Sequence, residues 1–117
     1  MVRGLQAACE MGGLRSARAY LLESVTELWA SVNRGEKPTM VQRANLRIAA
    51  THATTSAARA VDLIYTAGGG SALYASNPLQ RAFRDVHAVT QHMSVAPATH
   101  ELHGKLLLGV ELDAPML

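Results

Sequence analysis

A chain of 117 residues can bury the core of one domain but is too short to house a cofactor domain and a substrate domain together. Its net charge of +2 comes from basic residues scattered among acidic ones, and aromatics make up only 4%, which excludes the basic stripe and stacking platform of a nucleic-acid binder. The single cysteine, Cys9, excludes an internal disulfide and a thiolate zinc cluster and suits a reducing compartment. With no secretory h-region and no apolar run of about eighteen residues, a cytoplasmic chain without membrane or nucleic-acid partners is expected.

The first predicted helix runs from about Leu5 to Arg34. Leu14, Leu21, Val25, Leu28 and Val32 follow one another at spacings of 7, 4, 3 and 4, which places them on one face. Gly12 and Gly13 weaken its first third and admit a kink or a later start. Asn33 to Gly35 supplies a left-handed stop. A second helix follows Pro38, opened by a Thr39–Gln42 capping box. Leu46, Ala50, Ala53, Ala57, Val61 and Ile64 form its stripe, so rich in alanine that a neighbouring helix should approach closely. This helix ends at Gly68-Gly69-Gly70, and Ser71 to Ser76 is a connector.

Asn77 as N-cap and Pro78 at the first helical position open a third helix, with Leu79, Phe83, Val86 and Thr90 on its buried face. That helix should break around Gln91 to Ser94. A fourth is expected from about Val95 to Leu108, with Pro97 in its first turn and Gly109 as its stop. No strand pattern appears, so the fold class is all-α: an up-and-down helical bundle. Two long helices and two short ones make an incomplete bundle, because the long helices carry more apolar face than the short pair can cover. The chain is therefore expected to associate with itself or with another polypeptide.

Three constellations carry chemistry. The glycine run can let backbone approach a ligand or gather N–H groups around an anion, or it can simply cap the second helix. It lacks both the preceding strand and the G-K-[ST] of a P-loop. His100 and His103, at i and i+3, have a spacing used in metal sites but no acidic residue placed to join them, so no metal is assigned. Arg84 and Asp85 do not face each other. Each pairs elsewhere in a buried structural network, or Arg81 or Arg84 clamps a phosphate beside the glycines. His92, where the third helix breaks, is either a C-terminal cap or a near-neutral, partly buried imidazole able to move one proton.

The order Gly68-Gly69-Gly70-Ser71, Ser76-Asn77-Pro78-Leu79-Gln80-Arg81, Phe83-Arg84-Asp85-Val86-His87 and Gln91-His92 resembles the C-terminal helical domain of the acyl-CoA dehydrogenase superfamily. Within it, the pattern is similar to the flavin-dependent monooxygenase branch, the oxygenase components of two-component hydroxylases. The resemblance implies that Thr66, Gly68, Gly69, Gly70 and Ser71 contact FAD or FMN held largely by a neighbouring subunit or by further domains. It implies that His92 is catalytic, close to the reactive edge of the flavin. A dehydrogenase would carry a glutamate base near this point, and Gln91-His92-Met93-Ser94 has none.

The function so implied is hydroxylation of an aromatic or polycyclic substrate with O2 and reduced flavin from a separate reductase. The parent enzymes are tetramers, so a homo-oligomer is implied too. The family's N-terminal and middle β-domains have no counterpart in these residues, and neither has the helix that opens its C-terminal bundle. A fragment or split subunit, inactive alone and paired with a separate catalytic chain, is therefore expected. The alternatives are a non-catalytic helical oligomerisation module and a truncated acyl-CoA dehydrogenase-like fragment.

Overall fold

The computed structural model describes residues 2–111. Four α-helices span Val2–Asn33 (α1), Met40–Gly68 (α2), Pro78–Thr90 (α3) and Ala98–Leu107 (α4). Short 3-10 turns at Gly69–Leu73 and Met93–Val95 join α2 to α3 and α3 to α4. No strand occurs among the described residues, as the periodicity requires.

The end signals act where the sequence places them. Gly35 takes φ 76° after α1, a left-handed conformation that costs glycine little. Thr39 Oγ1 accepts the Gln42 N–H at 3.1 Å, and Gln42 Oε1 accepts the Thr39 N–H at 3.0 Å. Gln42 also reaches across the hairpin, where its Nε2 donates to Ser31 Oγ at 2.9 Å and ties the start of α2 to the end of α1. Asn77 Oδ1 accepts the Leu79 N–H at 3.0 Å and Pro78 occupies the first turn of α3. Gly109, at φ 70°, follows α4.

Two local expectations are corrected. α1 is continuous through Gly12 and Gly13 and starts at Val2, without a kink or a late start, because both glycines still make the helical backbone bonds that their neighbours favour. The fourth helix starts three residues later than expected, at Ala98, since the Met93–Val95 turn and Pro97 take up the intervening chain.

α2 is the central element, against which α1, α3 and α4 all pack. The contact with α1 runs along Ala17, Ser24 and Ser31, all buried and seven residues apart. Small side chains there let the two backbones close up. The expected α1 face is therefore displaced: Leu21 and Leu28 are half-buried at the seam's edge, but Leu14, Val25 and Val32 are exposed. On α2 the closely packed alanines are Ala44, Ala49, Ala58 and Ala60 with Ile48, whereas Ala50, Ala53 and Ala57 of the expected stripe are half-buried and Ile64 is exposed. A helix flanked on several sides has no single buried stripe to read.

The expected α3 face is in place, with Leu79, Phe83, Val86 and Thr90 half-buried. Phe83 stacks between Tyr65 of α2 and His87, with both ring centroids 4.5 Å away. α4 is fastened by the buried Thr51–Thr99 hydroxyl pair at 2.7 Å. The described residues extend 51 × 28 × 24 Å with a radius of gyration of 17.2 Å. A compact domain of this length would have about 13 Å, so the assembly is elongated and leaves long helix faces in water.

Candidate functional site

The glycine connector is a folded turn. Gly69 has φ 55° and ψ −144°, and its N–H donates to Thr66 O, so that donor is already spent on closing α2. Ser71 Oγ donates to Gly68 O at 2.6 Å, which leaves its lone pairs to accept but no proton to offer. The Asn77 side chain donates to Ser71 O at 3.0 Å and fixes the turn to the start of α3. An open ring of backbone donors for an anion is therefore replaced by one 3-10 turn.

The three glycines differ in what they permit. A Cβ on Gly68 would meet Leu79 Cδ1 at 3.3 Å and Ala72 Cβ at 3.4 Å, so close packing explains that glycine. Around Gly69 and Gly70 nothing lies within 4 Å of such a Cβ. These two, with Ser71 and Thr66, present an exposed, uncluttered edge against which a flat ring or a phosphate can rest. That edge fits a flavin contact of the kind the resemblance implies, made on one side only.

His92 lies at the other end of α3. It caps the Met93–Val95 turn, with Nδ1 accepting the Ser94 N–H at 3.2 Å, and its ring is exposed. The cap of α3 itself is Gln91. The expected C-terminal dipole cap is thus a cap on the next turn, and the imidazole is more open than a partly buried one. With Nδ1 accepting, the tautomer compatible with this bond carries its proton on Nε2. The thirteen residues of α3 separate His92 from the connector by about 20 Å at the helical rise of about 1.5 Å per residue. Within one copy, the two sets of residues are not brought together.

Two open grooves lie along α2. One, of about 540 Å³, runs between the start of α1 and the end of α2 and is lined by Gln6, Glu10, Arg59, Asp62, Ile64 and Thr66 among others. The second, of about 420 Å³, lies between α2, α3 and the approach to α4, lined by Thr51, Thr55, Asp62, His87, Thr90 and His100 among others. Thr66 is the one expected cofactor residue in either lining, and His92 is in neither. Arg59 and Asp62 border both grooves. Sequence reasoning passed over them, although two polar residues at i and i+3 inside an alanine-rich helix were a legible signal.

Asp62 Oδ1 and His87 Nε2 lie 2.7 Å apart and clamp α3 onto α2. The Thr51, Thr54 and Thr55 hydroxyls donate to the carbonyls of Arg47, Ala50 and Thr51, so that stretch of the second groove offers spent hydroxyls. Asp85 is not in a buried network. Its carboxylate meets Arg81 Nε at 3.4 Å on the surface, and Arg84 is exposed. His103 Nε2 pairs with Asn45 Oδ1 at 3.2 Å, and His100 is turned to the second groove. Among the described residues no three His, Cys, Asp or Glu side chains gather into a metal-binding group.

The perturbed titrations are structural. Glu36 is held below the usual carboxylate range by its hydrogen bond to Arg34, and Glu101 by its hydrogen bond to Lys105. Tyr20 is pushed up by burial, then by Glu23 and Glu27.

Residues 4–97 match the model of the acyl-CoA dehydrogenase C-terminal domain. The chain belongs to this family. The chain is 40% identical over 105 residues to a pigment production hydroxylase of Rhodococcus erythropolis, covering 88% of this chain and 26% of that protein. It is 35% identical over 97 residues to an indole-3-acetate monooxygenase of Pseudomonas putida, covering 82% and 25%.

Among solved structures, this acyl-CoA dehydrogenase-type bundle superposes on the 3-HSA hydroxylase of Rhodococcus sp. RHA1 with a TM-score of 0.84 at 26% identity, over 99% of this chain and 30% of that one. The HsaA monooxygenase of M. tuberculosis gives 0.81 at 26%, with the same coverage. The chain thus spans about a quarter of the length of the curated relatives it matches. These relatives are named as hydroxylases and monooxygenases, and the chain is similar to about a quarter of their length.

Proposed function

We propose that this chain is the C-terminal, flavin-contacting part of a flavin-dependent monooxygenase that hydroxylates an aromatic or polycyclic substrate. The observation that carries the reading is the exposed Gly69–Gly70 edge, which the fold leaves free of neighbours, in a chain whose relatives are named as hydroxylases and monooxygenases. Reduced FAD or FMN, delivered by a separate reductase, supplies the activation of O2 when bound.

The chain's own residues bind and orient. Gly69 and Gly70 let the ring or its phosphate approach the backbone without a Cβ in the way, Ser71 accepts a hydrogen bond, and Thr66 borders the same edge from α2. His92, with Nδ1 held by the Ser94 N–H and its ring exposed, donates a hydrogen bond from Nε2–H to an oxygen atom placed against it. Because α3 holds His92 and the connector apart, one flavin ring would meet the connector of one copy and His92 of another. That arrangement accords with a flavin shared between subunits.

The test is a titration of oxidised and reduced FMN and FAD into the purified chain and two variants. Gly70→Ala leaves the fold intact, since its Cβ has open space and its φ is not positive. Saturable binding that weakens several-fold in Gly70→Ala, at an unchanged melting temperature, is the expected result. His92→Ala is expected to alter the reaction of bound reduced flavin with O2 more than its affinity. Absence of binding by well-folded protein at millimolar flavin would refute a flavin site built from these residues and favour the non-catalytic oligomerisation module.

A further inference from the structure

The geometry points to a further site in this chain: a proton-accepting pocket for a small aromatic hydroxy compound, in the groove between α2, α3 and α4, with His87 as the acceptor. The Asp62–His87 pair that clamps α3 onto α2 also borders this groove. Asp62 Oδ1 lies 2.7 Å from His87 Nε2. A carboxylate only accepts, so the tautomer compatible with this bond carries its proton on Nε2 and leaves the Nδ1 lone pair to accept. Among the described residues no hydrogen bond reaches that Nδ1.

Two neighbours favour the imidazole once it has taken a second proton. The Asp62 carboxylate faces the resulting imidazolium, the arrangement in which an aspartate orients a histidine base and stabilises its charged form. The Phe83 ring, with its centroid 4.5 Å from that of the imidazole, lies within reach of a cation–π attraction that only the charged form gains. Both members of the pair are half-buried, so the imidazole is held in place and still open to a ligand. Beside it, the charged or titratable groups that border the groove are Asp62 and Arg59 from α2 and His100 from α4.

The remaining lining selects the ligand. The hydroxyls of Thr54, Thr55 and Thr90 donate to backbone carbonyls, and that of Thr51 is shared with Thr99, so a sugar or other polyol would find few free donors. Ala58, Val95, Ala96 and Pro97 give a wall of small apolar side chains, suited to the flat face of a ring. The groove's volume of about 420 Å³ falls within the range of small-molecule sites, about 300–1,000 Å³. Arg59 has no hydrogen bond or ion pair among the described residues and supplies a positive charge for an anion.

On binding, the ligand's O–H bond breaks as an N–H bond forms at His87 Nδ1. The electron pair stays on the ligand oxygen, with Arg59 as its counter-charge, and nothing is oxidised or reduced. The site is distinct from the Gly69–Gly70 edge and stands whether or not flavin binds there.

Titration of para-nitrophenol into the purified 117-residue chain tests this, because its anion is yellow and its neutral form colourless. In buffer on the acid side of the free phenol's own titration, saturable binding is expected to bring up the yellow colour in step with occupancy. His87→Gln keeps the clamp, since the glutamine amide can donate to Asp62, but has no nitrogen lone pair to take a proton. It should retain its helical circular dichroism and develop several-fold less colour. Para-nitroanisole, the methyl ether with no proton to give, should bind the wild-type chain several-fold more weakly than the phenol does.

The proposal is overturned by absence of binding to well-folded protein at millimolar phenol, or by saturable binding without colour. It is equally overturned by colour that persists undiminished in His87→Gln, or by an ether that binds as tightly as the phenol. Should His87→Gln lose helicity, the comparison of phenol with ether on the wild-type chain decides alone.

Discussion

The buried hydroxyl pair that holds α4 offers a quantitative check on the packing. Thr51 and Thr99 are 2% and 4% exposed, with their oxygens 2.7 Å apart. Thr51 Oγ1 is also 3.0 Å from Arg47 O, and Thr99 Oγ1 is 2.9 Å from Ala96 O. Two protons serve these three contacts, so one hydroxyl donates to the other and the second donates to a backbone carbonyl. Thr51→Val keeps the volume and deletes the cross-helix bond, while Thr99 can still donate to Ala96 O; the expected loss is about 1 kcal/mol. Thr99→Val should cost about the same.

In the double variant the two oxygens leave together and methyl groups face each other. The total should then stay near about 1 kcal/mol instead of doubling, a coupling of about 1 kcal/mol. Urea unfolding of the four proteins, followed by circular dichroism at one fixed protein concentration, measures it through the midpoint at constant slope. Losses that add to within about 0.3 kcal/mol would refute the reasoning. They would mean that each hydroxyl is worth only its bond to a local carbonyl.

Two further outcomes follow from the hairpin and the charged surface. Thr39→Ala removes the acceptor for the Gln42 N–H and should cost about 1 kcal/mol, whereas Gln42→Ala also breaks the link to buried Ser31 and should lower the melting temperature further. As for pH, the carboxyls of Glu36 and Glu101 titrate below their ordinary value of 4.5 in the folded chain. Their stabilisation is present above that value and is lost as pH falls through the lower, folded one. Both are exposed, so the effect is slight and screened by salt. The Glu36→Gln/Glu101→Gln variant should show a flatter acid limb in melting temperature against pH at low ionic strength, and the difference should vanish at high salt.

Local chemistry determined most of what the sequence shows by itself. Thr39 with Gln42, Asn77 with Pro78, and the glycines at 35, 69 and 109 act through atoms a few residues away, so each helix end is written beside the helix it closes. The absence of any period-two pattern likewise sets the all-α class, and the motif order from Gly68 to His92 marks the family.

Only the tertiary structure decided which faces meet. Apolarity alone pointed to Leu14, Val25 and Val32, but the α1–α2 seam went to Ala17, Ser24 and Ser31, because close backbone approach gains more contact than a few large side chains held further apart. It also decided that Gly68 serves packing while Gly69 and Gly70 stay open, and that Asp62 and His87, 25 residues apart in the chain, are 2.7 Å apart in space. The separation of His92 from the glycine turn is of the same kind. Both look like one site when read along the chain, and a rigid helix between them places them at opposite ends, because helical rise is fixed and α3 cannot fold back on itself.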